Sequence, residues 1–195
     1  MGRGIRGADS GSPGVSVIFT ESTIKGAFLI DPEPIEDSRG FFARTVCQRE
    51  FEDHGITFRQ VQCNLSFNKK KGILRGMHYQ CAPYEEAKLV SCIKGAIYDV
   101  LIDLRPLSQT YTQHAAVVLT AENRRMHYIP EGCAHGFQTL EENTEIFYQI
   151  SAFYDPRCAK GVRWDDPAFG IQWPADERLI SDRDLSYPDF IEPQH

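Results

Sequence analysis

The sequence predicts an all-β protein of the sandwich or barrel type, and three observations support this class. Roughly ten short runs rich in β-branched and aromatic residues follow one another, separated by Pro, Gly and Asn, and helical periodicity is weak. Strands spaced by roughly 8–12 residues are typical of such folds. The predicted strands are 27–30, 40–46, 60–66, 73–79, 87–93, 96–104, 114–119, 125–129, 135–140 and 145–151.

Outside the strands, the pattern predicts one short helix, an extended tail and a single domain. Residues 48–54 are polar around Phe51, and Gly55 follows as a helix stop. From Asp165 onward, many Pro and Asp residues with scattered apolar residues predict an extended segment laid over the body. The Gly- and Ser-rich start predicts a disordered tail over 1–15, which leaves 16–195 as one domain.

Composition excludes several classes of function. The net charge of −6 argues against a surface for nucleic acid or anionic membranes, although a few local cations could hold a small anion. The sequence contains no run of about 18 apolar residues and no visible export signal. The six cysteines form no C-x-x-C pair, so we expect reduced thiols and a cytoplasmic protein.

The predicted strand that begins at Ala96 carries two aspartates, Asp99 and Asp103, on one face between apolar residues. Alternating residues point to opposite faces of a strand. Either this face lines a polar interior, or the strand is an edge strand with a wetted face. The sequence leaves both interpretations open.

The predicted strand around residues 72–80 carries a cation, Arg75, and an imidazole, His78, on a core-like pattern. A buried Arg needs an anionic partner from the protein or from a ligand. Positions i and i+3 of a regular strand point to opposite faces. Arg75 and His78 can therefore serve one site only if Gly76 allows a β-bulge between them.

A comparison with cupin metal motifs addresses metal binding. Gly72 and His78 fit the start of such a motif, Glu85 falls where its carboxylate would lie, and the segment 130–135 fits its second half. The motif needs a further His at the position of Gln80, and an amide is a poor ligand for first-row metals. The resemblance favours a barrel, and we expect no metal or other cofactor.

Acid–base chemistry is the next interpretation of His78, and a satisfied core histidine is the alternative. A histidine base needs a carboxylate to orient it, and Asp99, Asp103 and Asp184 are candidates among which the sequence cannot choose. Tyr148 and Tyr154 could donate a proton, although tyrosines in β proteins more often pack. The candidate phosphate-binding cations, each of which could equally be a solvated surface cation, are Arg39, Arg75, Lys88 and Arg125.

Eight motifs, in order over nearly the whole chain, resemble the dTDP-4-dehydrorhamnose 3,5-epimerase family. The motifs cover residues 37–42, 61–64, 74–80, 87–90, 108–111, 121–123, 129–137 and 161–167. The resemblance implies a cupin-type jelly roll with short peripheral helices, a homodimer, and metal-free inversion of carbon 3 and/or carbon 5 of a dTDP-linked 4-keto-6-deoxyhexose.

The resemblance also implies roles for particular residues. His78 matches the family's base, Asp184 its carboxylate partner and Tyr148 its acid. The positions that match substrate-binding residues are Arg39, Gln62, Asn64, Arg75, Lys88, His135, Tyr154 and Arg183.

Several positions depart from the family pattern: Arg44 replaces a Glu, Cys63 and Leu65 replace an Asp and a His, Gln149 replaces a Lys, and Arg183 replaces a Lys. The departures leave open whether one carbon or two are inverted and which nucleotide-linked sugar is the substrate. A metal-dependent cupin and a non-catalytic sugar-binding jelly roll are the rival classes.

Overall fold

The computed structural model of the chain describes residues 15–191, and 1–14 of the predicted tail lie outside them. Two antiparallel sheets face each other as a jelly roll, which confirms the predicted class. The strands are β1 (Val17–Glu21), β2 (Phe28–Pro32), β3 (Ile35–Asp37), β4 (Gly40–Phe42), β5 (Gln62–Asn68), β6 (Leu74–Gln80), β7 (Lys88–Lys94), β8 (Ala96–Asp103), β9 (His114–Thr120), β10 (Met126–Ile129), β11 (Cys133–Thr139), β12 (Thr144–Ile150) and β13 (Ala159–Gly161).

The larger sheet has the strand order β1-β2-β10-β7-β12-β5, and the smaller sheet has the order β13-β6-β11-β8-β9. Strands β3 and β4 form a separate two-stranded hairpin. Inward-facing apolar side chains of both sheets, among them Val90, Leu101 and Ile146, make up the central core. Burial of this apolar surface holds the two sheets together.

Strand β8 lies between β11 and β9, so the edge-strand interpretation was wrong. Its register against β11 places Ile97, Asp99 and Leu101 on the face toward the central core. Asp99 and Asp103 are fully buried. A buried carboxylate must find hydrogen-bond donors, and both aspartates do. The two aspartates therefore mark a polar interior.

The predicted short helix forms as α1 (Gln48–Asp53). Gly55, with a φ of +73°, ends it in a Schellman motif, because Gly55 N–H bonds to the carbonyl of Glu52 and Ile56 N–H to that of Phe51. Phe51 and Phe58 then pack beneath Tyr128 on the outer face of the larger sheet. Helix α1 thus packs on that face.

The C-terminal segment lies over the outer face of the smaller sheet, as the tail pattern predicts. Val162, Phe169 and Trp173 pack against Met77 and Val100. This segment also contains a short helix, α2 (Asp182–Leu185), which the sequence pattern had not indicated. Among the described residues, no helix is long and apolar enough to cross a membrane.

Strands β1, β3 and β13 were not predicted. The latter two have only three residues each, which is too short for a period-two pattern to emerge. The predicted strand over 40–46 shrinks to Gly40–Phe42, which is exposed along its whole length. Pairing partners, rather than local propensity, decide such short strands.

Asp103 closes the turn after β8, and its removal is expected to destabilise the fold. Its carboxylate accepts hydrogen bonds from Arg105, Ser108 and Thr110 at 2.5–2.8 Å. Burial alone would raise the pKa of Asp103, but these donors lower it to about 2. Asp103→Asn is expected to cost about 3 kcal/mol of unfolding free energy at pH 7.

The pH dependence of this effect follows from the lowered pKa. A carboxylate whose pKa falls on folding stabilises the native state above its unfolded pKa, and this contribution is lost as the pH falls toward 2. Denaturant unfolding between pH 7 and pH 2.5 should show the variant and the wild type converging at low pH. The exposed Asp53→Asn is the control, and a constant difference across this range would contradict the assignment.

Candidate active site

A cavity of about 420 Å³ opens between the two sheets. Strands β5, β7 and β12 supply one wall, and β6 and β11 supply the other. Ten of the eleven sequence-predicted site residues contribute to it. Nine of them line the cavity, and Asp184 contacts His78 without lining the cavity itself. The lining residues from the predicted set are Gln62, Asn64, Arg75, His78, Lys88, His135, Tyr148, Tyr154 and Arg183.

The β-bulge expected at Gly76 is present. His78 pairs with His135 and Arg75 pairs with Phe137, so β6 has two residues between these pairs where β11 has one. Gly76 has a φ of +138°, a conformation that side chains disfavour. The extra residue turns Arg75 and His78 toward the same cavity, which confirms the structural requirement derived from the sequence.

Gly76→Ala is expected to destabilise the protein by about 3 kcal/mol or more. A Cβ on Gly76 would lie 2.5 Å from the Cα of Gly136 and 3.1 Å from the carbonyl oxygen of His135, so backbone would have to move. Gly170→Ala is the matched control, because Gly170 also has a positive φ (+61°) but nothing lies within 4 Å of its Cβ position. Denaturant midpoints measure both, and equal losses would show that the close approach at Gly76 is unimportant.

His78 forms a dyad with Asp184. The Nε2 atom of His78 lies 2.7 Å from Oδ1 of Asp184, whose side chain is only 5% exposed. Ser181 caps helix α2 by accepting from the N–H of Asp184, and the second carboxylate oxygen of Asp184 accepts from the N–H of Gly76. Burial alone would raise the pKa of Asp184, but the bond to His78 and these contacts hold it below its ordinary value. The carboxylate is therefore charged and orients the imidazole.

Tyr148 stands on the opposite wall from His78, since β12 belongs to the larger sheet and β6 to the smaller. Burial raises the pKa of Tyr148, the nearby charge of Arg75 partly opposes the shift, and Glu86 adds to it. The phenol is therefore protonated at neutral pH. A charged dyad and a protonated phenol across one cavity can remove a proton and return one from the other side.

Arg75 is held by an amide rather than by a carboxylate. Its Nε donates to Oδ1 of Asn68 at 2.9 Å, and within residues 15–191 it forms no ion pair. Asn68 is itself buried and donates to the carbonyl of Thr144. The positive charge of the guanidinium is therefore not paired with a carboxylate of the described residues, and a phosphate or carboxylate group of a ligand could balance it.

Lys88 lies at the base of the cavity and is almost fully buried. Its Nζ donates to the carbonyl of His78 at 3.1 Å and lies 3.0 Å from Oε1 of Glu86. The same carboxylate accepts from the side chain of Gln80 at 3.1 Å. These contacts connect the strand that carries His78 to the wall opposite.

Gln80, at the position where a cupin metal site would have a histidine, is fully engaged. Its amide donates to the carbonyls of Tyr84 and Phe153, and its oxygen accepts from the N–H of Asp155. In the part of the chain from 15 to 191, no group of three or more His, Cys, Asp or Glu side chains could hold a metal ion. The residues present therefore do not fit the metal centre that the cupin fold can carry.

Asp99 orients His135 rather than His78. Its two carboxylate oxygens contact Nε2 of His135 at 2.7 Å and Nδ1 of His127 at 2.8 Å. Burial lowers the pKa of His135, with Asp99 opposing the shift, so the imidazole is neutral. Because Asp103 binds Arg105, only Asp184 among the three candidate aspartates contacts His78.

Two of the candidate cations lie elsewhere in the chain. Arg39 sits at the tip of the β3–β4 hairpin, where its side chain is 87% exposed and contacts Asp37. Arg125 is bound by Asp31 through two hydrogen bonds on the larger sheet. Arg125 is therefore not a phosphate ligand of this cavity, and Arg39 does not line it.

Most departures from the family pattern point away from the cavity. Cys63 and Leu65 alternate with Gln62 and Asn64 along β5, so they face outward, with Leu65 60% exposed. The side chain of Arg44 bonds to Glu50 at 2.8 Å. Gln149 also lies outside the lining set, which leaves Arg183, whose hydrogen bonds to Tyr187 and Tyr154 raise its pKa, as the one departure among the lining residues.

Some cavity residues were not anticipated from the sequence. Asn68 and Glu86 position Arg75 and Lys88, yet a single polar residue at the end of a strand or in a loop carries no distinguishing pattern. His127 was missed for the same reason, although it bonds to Asp99. The additional lining residues are Ser66, Tyr79, Gln80, Glu86, Phe137, Ile150, Ala159 and Lys160.

A jelly roll with an acid–base dyad and a facing phenol between its sheets defines a cupin-type acid–base enzyme. Comparison with known proteins gives the particular group: residues 21–192 match the family model for dTDP-4-dehydrorhamnose 3,5-epimerase, an isomerase of carbohydrates. The chain belongs to this family.

Individual relatives agree with the family assignment. The Shigella flexneri dTDP-4-dehydrorhamnose 3,5-epimerase is 38% identical over 182 residues, which cover 93% of this chain and 99% of the relative. A Legionella pneumophila epimerase crystallised with dTDP-4-keto-L-rhamnose is 34% identical, with a TM-score of 0.82 over 88% of this chain and 92% of its own. A Streptomyces bikiniensis 3′-monoepimerase in complex with dTDP-quinovose is 32% identical, with a TM-score of 0.79. The match covers 86% of this chain and 85% of that protein.

Proposed function

We propose that this chain inverts carbon 3, carbon 5 or both of a dTDP-linked 4-keto-6-deoxyhexose through an enolate. The observation that carries the proposal is the arrangement of three groups in one cavity. The His78–Asp184 dyad lies on one wall and protonated Tyr148 lies on the other. Inversion needs a base on one face of the sugar ring and an acid on the opposite face.

In the proposed first step, His78 removes the proton from the carbon beside the ketone. The negative charge of Asp184 then stabilises the imidazolium that forms, because the two groups are 2.7 Å apart and Asp184 is largely buried. Electron density moves to the ketone oxygen as an enolate. Tyr148 next donates its proton to the other face of the same carbon, and the configuration is inverted.

Substrate binding is proposed to rest on the cations of the cavity. Arg75, with no carboxylate partner among the described residues, is free to pair with the diphosphate, and Arg183 stands at the rim beside Tyr154. Gln62, Asn64 and His135 offer hydrogen bonds to the sugar or the nucleotide. The net charge of −6 over the whole protein makes these local cations necessary for an anionic substrate.

Hydrogen exchange with solvent tests the proposed reaction. The protein is incubated with dTDP-4-keto-6-deoxyglucose in deuterated water, and an enzyme-free sample corrects for spontaneous exchange. We expect enzyme-dependent deuterium at carbon 3, carbon 5 or both, located by NMR. Exchange at one carbon alone would identify a single-position epimerase, and no exchange on any dTDP-linked 4-keto sugar would contradict the proposal.

We infer that the chain acts as a homodimer. Strand β5 exposes Leu65 and Phe67 on its outward face, and the β3–β4 hairpin exposes Phe41 and Phe42. Apolar patches of this kind are typical of protein interfaces. A second copy would cover them. Because Arg39 lies outside its own cavity, its proposed contact with substrate would be made in the partner's cavity.

Subunit complementation tests this arrangement. His78→Ala and Arg39→Ala are each expected to be impaired, but mixed dimers should contain one cavity with both residues intact. Unfolding and refolding the two variants together should therefore restore up to about half of the wild-type activity per mixed dimer. No recovery in dimers that are verified as mixed would place Arg39 outside the partner's cavity, and a monomer by light scattering would reject the dimer.

We further propose a cytoplasmic location. All six cysteines are free thiols, as expected in a reducing compartment. Fractionation of cells that produce a tagged form of the protein measures its location. We expect it in the cytoplasmic fraction, and recovery in a membrane or exported fraction would contradict the proposal.

A further inference from the structure

Two cysteines lie opposite each other at the rim of the cavity. The β6–β13 ladder ends at the pair Gln80–Ala159, and Cys81 and Cys158 are the next residues of the two segments beyond it. The N–H of Cys81 donates to the carbonyl of Cys158 at 2.9 Å. Hydrogen-bonded cross-strand partners have Cα atoms about 5.5 Å apart, which lies within the range of about 4.4–6.8 Å that disulfides span.

The two thiols share one face of the ladder. Gln80 and Ala159 line the active-site cavity, whereas their neighbours Cys81 and Cys158 do not, and Cys81 instead lines a second cavity. The Cys158 thiol is within hydrogen-bond reach of the Cys81 side chain, and its Sγ lies 3.7 Å from the carbonyl of Ala82. Both thiols are free, as are those of the other four cysteines.

A small reagent can reach this pair. Cys81 is partly exposed and lines a second cavity of about 550 Å³ on the outer side of β6. Cys158 is buried behind it. Cys81 is therefore positioned to react first, and Cys158 to react with the product of that step.

The backbone around the pair is already fixed. The side chain of Gln80 bonds to the carbonyl of Phe153 and to the N–H of Asp155, so the end of β6 and the segment before β13 are held together without a covalent link. A disulfide at the next position would link two segments that already lie side by side. Backbone displacement is the usual source of strain in a candidate disulfide, and the hydrogen bond between Cys81 and Cys158 already holds the two backbones close together.

We propose that Cys81 and Cys158 form a reversible redox site, in which a low-molecular-weight disulfide converts the two thiols into an intramolecular disulfide that staples the cavity rim. The thiolate of Cys81 attacks one sulfur of the small disulfide and releases one small thiolate. The thiolate of Cys158 then attacks the Cys81 sulfur and releases the second. The protein loses two electrons and two protons, and the small disulfide is reduced to two thiols.

The order of the two steps agrees with the local environment. Burial raises the pKa of the Cys158 thiol, and its contact with Cys81 raises it further, so few Cys158 thiolates are present at neutral pH. Cys158 is therefore a slow first nucleophile. Once Cys81 carries the mixed disulfide, the neighbouring position of Cys158 gives a high local concentration that offsets its protonation.

Mass spectrometry with oxidised glutathione tests the proposal. Wild-type protein is incubated with this disulfide, remaining thiols are alkylated, and the protein is digested without reduction. We expect a cross-linked peptide pair joining Cys81 to Cys158 that dithiothreitol removes. Cys158→Ser should instead hold glutathione on Cys81, whereas the exposed control Cys63→Ser should still form the cross-link.

Thermal unfolding gives a second readout that needs no variant. The disulfide closes a loop of nearly eighty residues, so oxidation should raise the thermal midpoint by about 5 °C or more, reversibly. Two free thiols after incubation, or a disulfide that involves other cysteines, would overturn the proposal. Neither assay uses the sugar substrate, so a failure of the disulfide proposal would be distinguishable from a failure of the proposed function.

Discussion

His78→Ala is expected to lower the epimerisation rate by about 10³-fold, the largest effect of any single substitution at the cavity. The substitution removes the group proposed to take the proton, and positioned acid–base groups contribute about 10²–10⁴-fold. Substrate affinity should change little, because Arg75 and Lys88 remain in place. Initial rates of epimerisation, together with titration of dTDP binding, separate the two effects.

The Asp184 half of the dyad allows a matched comparison. Asp184→Asn keeps the size of the side chain but removes its charge, and is expected to lower the rate by about 10²-fold or more, because the imidazolium of His78 would lose its counter-charge. Asp182→Asn, two residues earlier on helix α2 and exposed, is the control and should keep the wild-type rate. Equal rates for the two variants would remove Asp184 from the mechanism.

Tyr148→Phe is expected to separate proton removal from inversion. The variant keeps the His78–Asp184 dyad, so the base can still remove a proton and return it to the same face. Without the phenol, delivery to the other face should fall by about 10²-fold. Deuterium should therefore enter the substrate faster than the inverted product accumulates. NMR of one reaction in deuterated water measures both quantities.

Tyr98→Phe is the control for the tyrosine substitution. Tyr98 packs against Trp173 on the outer side of the smaller sheet, away from the cavity. The epimerisation rate of Tyr98→Phe and its ratio of deuterium exchange to inversion should match those of the wild type. If Tyr148→Phe also kept the wild-type ratio, another group would have to be the acid.

Much of the fold was accessible from the sequence because period-two patterns are local. The long strands around Arg75 and Tyr148 were predicted within one or two residues, and Phe51 with Gly55 marked helix α1. The short strands β3 and β13 were missed, since three residues carry too little pattern. Their formation depends on partners that lie far away in the chain.

The candidate site was accessible in part. The occurrence of Gly76 between Arg75 and His78 led to the expected bulge, because a strand's alternation is a geometric rule. The choice among three aspartates was not accessible from local pattern, since Asp184 is 106 residues from His78 and only the path of the C-terminal segment brings it there. Arg125 looked equivalent to the cavity cations until its pairing with Asp31 was visible.

The sequence by itself determined the pattern of the long strands, the need for a bulge at Gly76 if Arg75 and His78 share one site and, through its ordered motifs, the family. The family resemblance named Asp184 as the partner of His78, and the tertiary structure shows the contact between them. The tertiary structure alone decided that Asp99 contacts His135 and that Arg39 lies outside its own cavity. The physical reason is the separation along the sequence over which each interaction acts. Backbone geometry and apolar periodicity act between neighbours in sequence, whereas hydrogen bonds in a cavity join residues that only the packing of two sheets brings together.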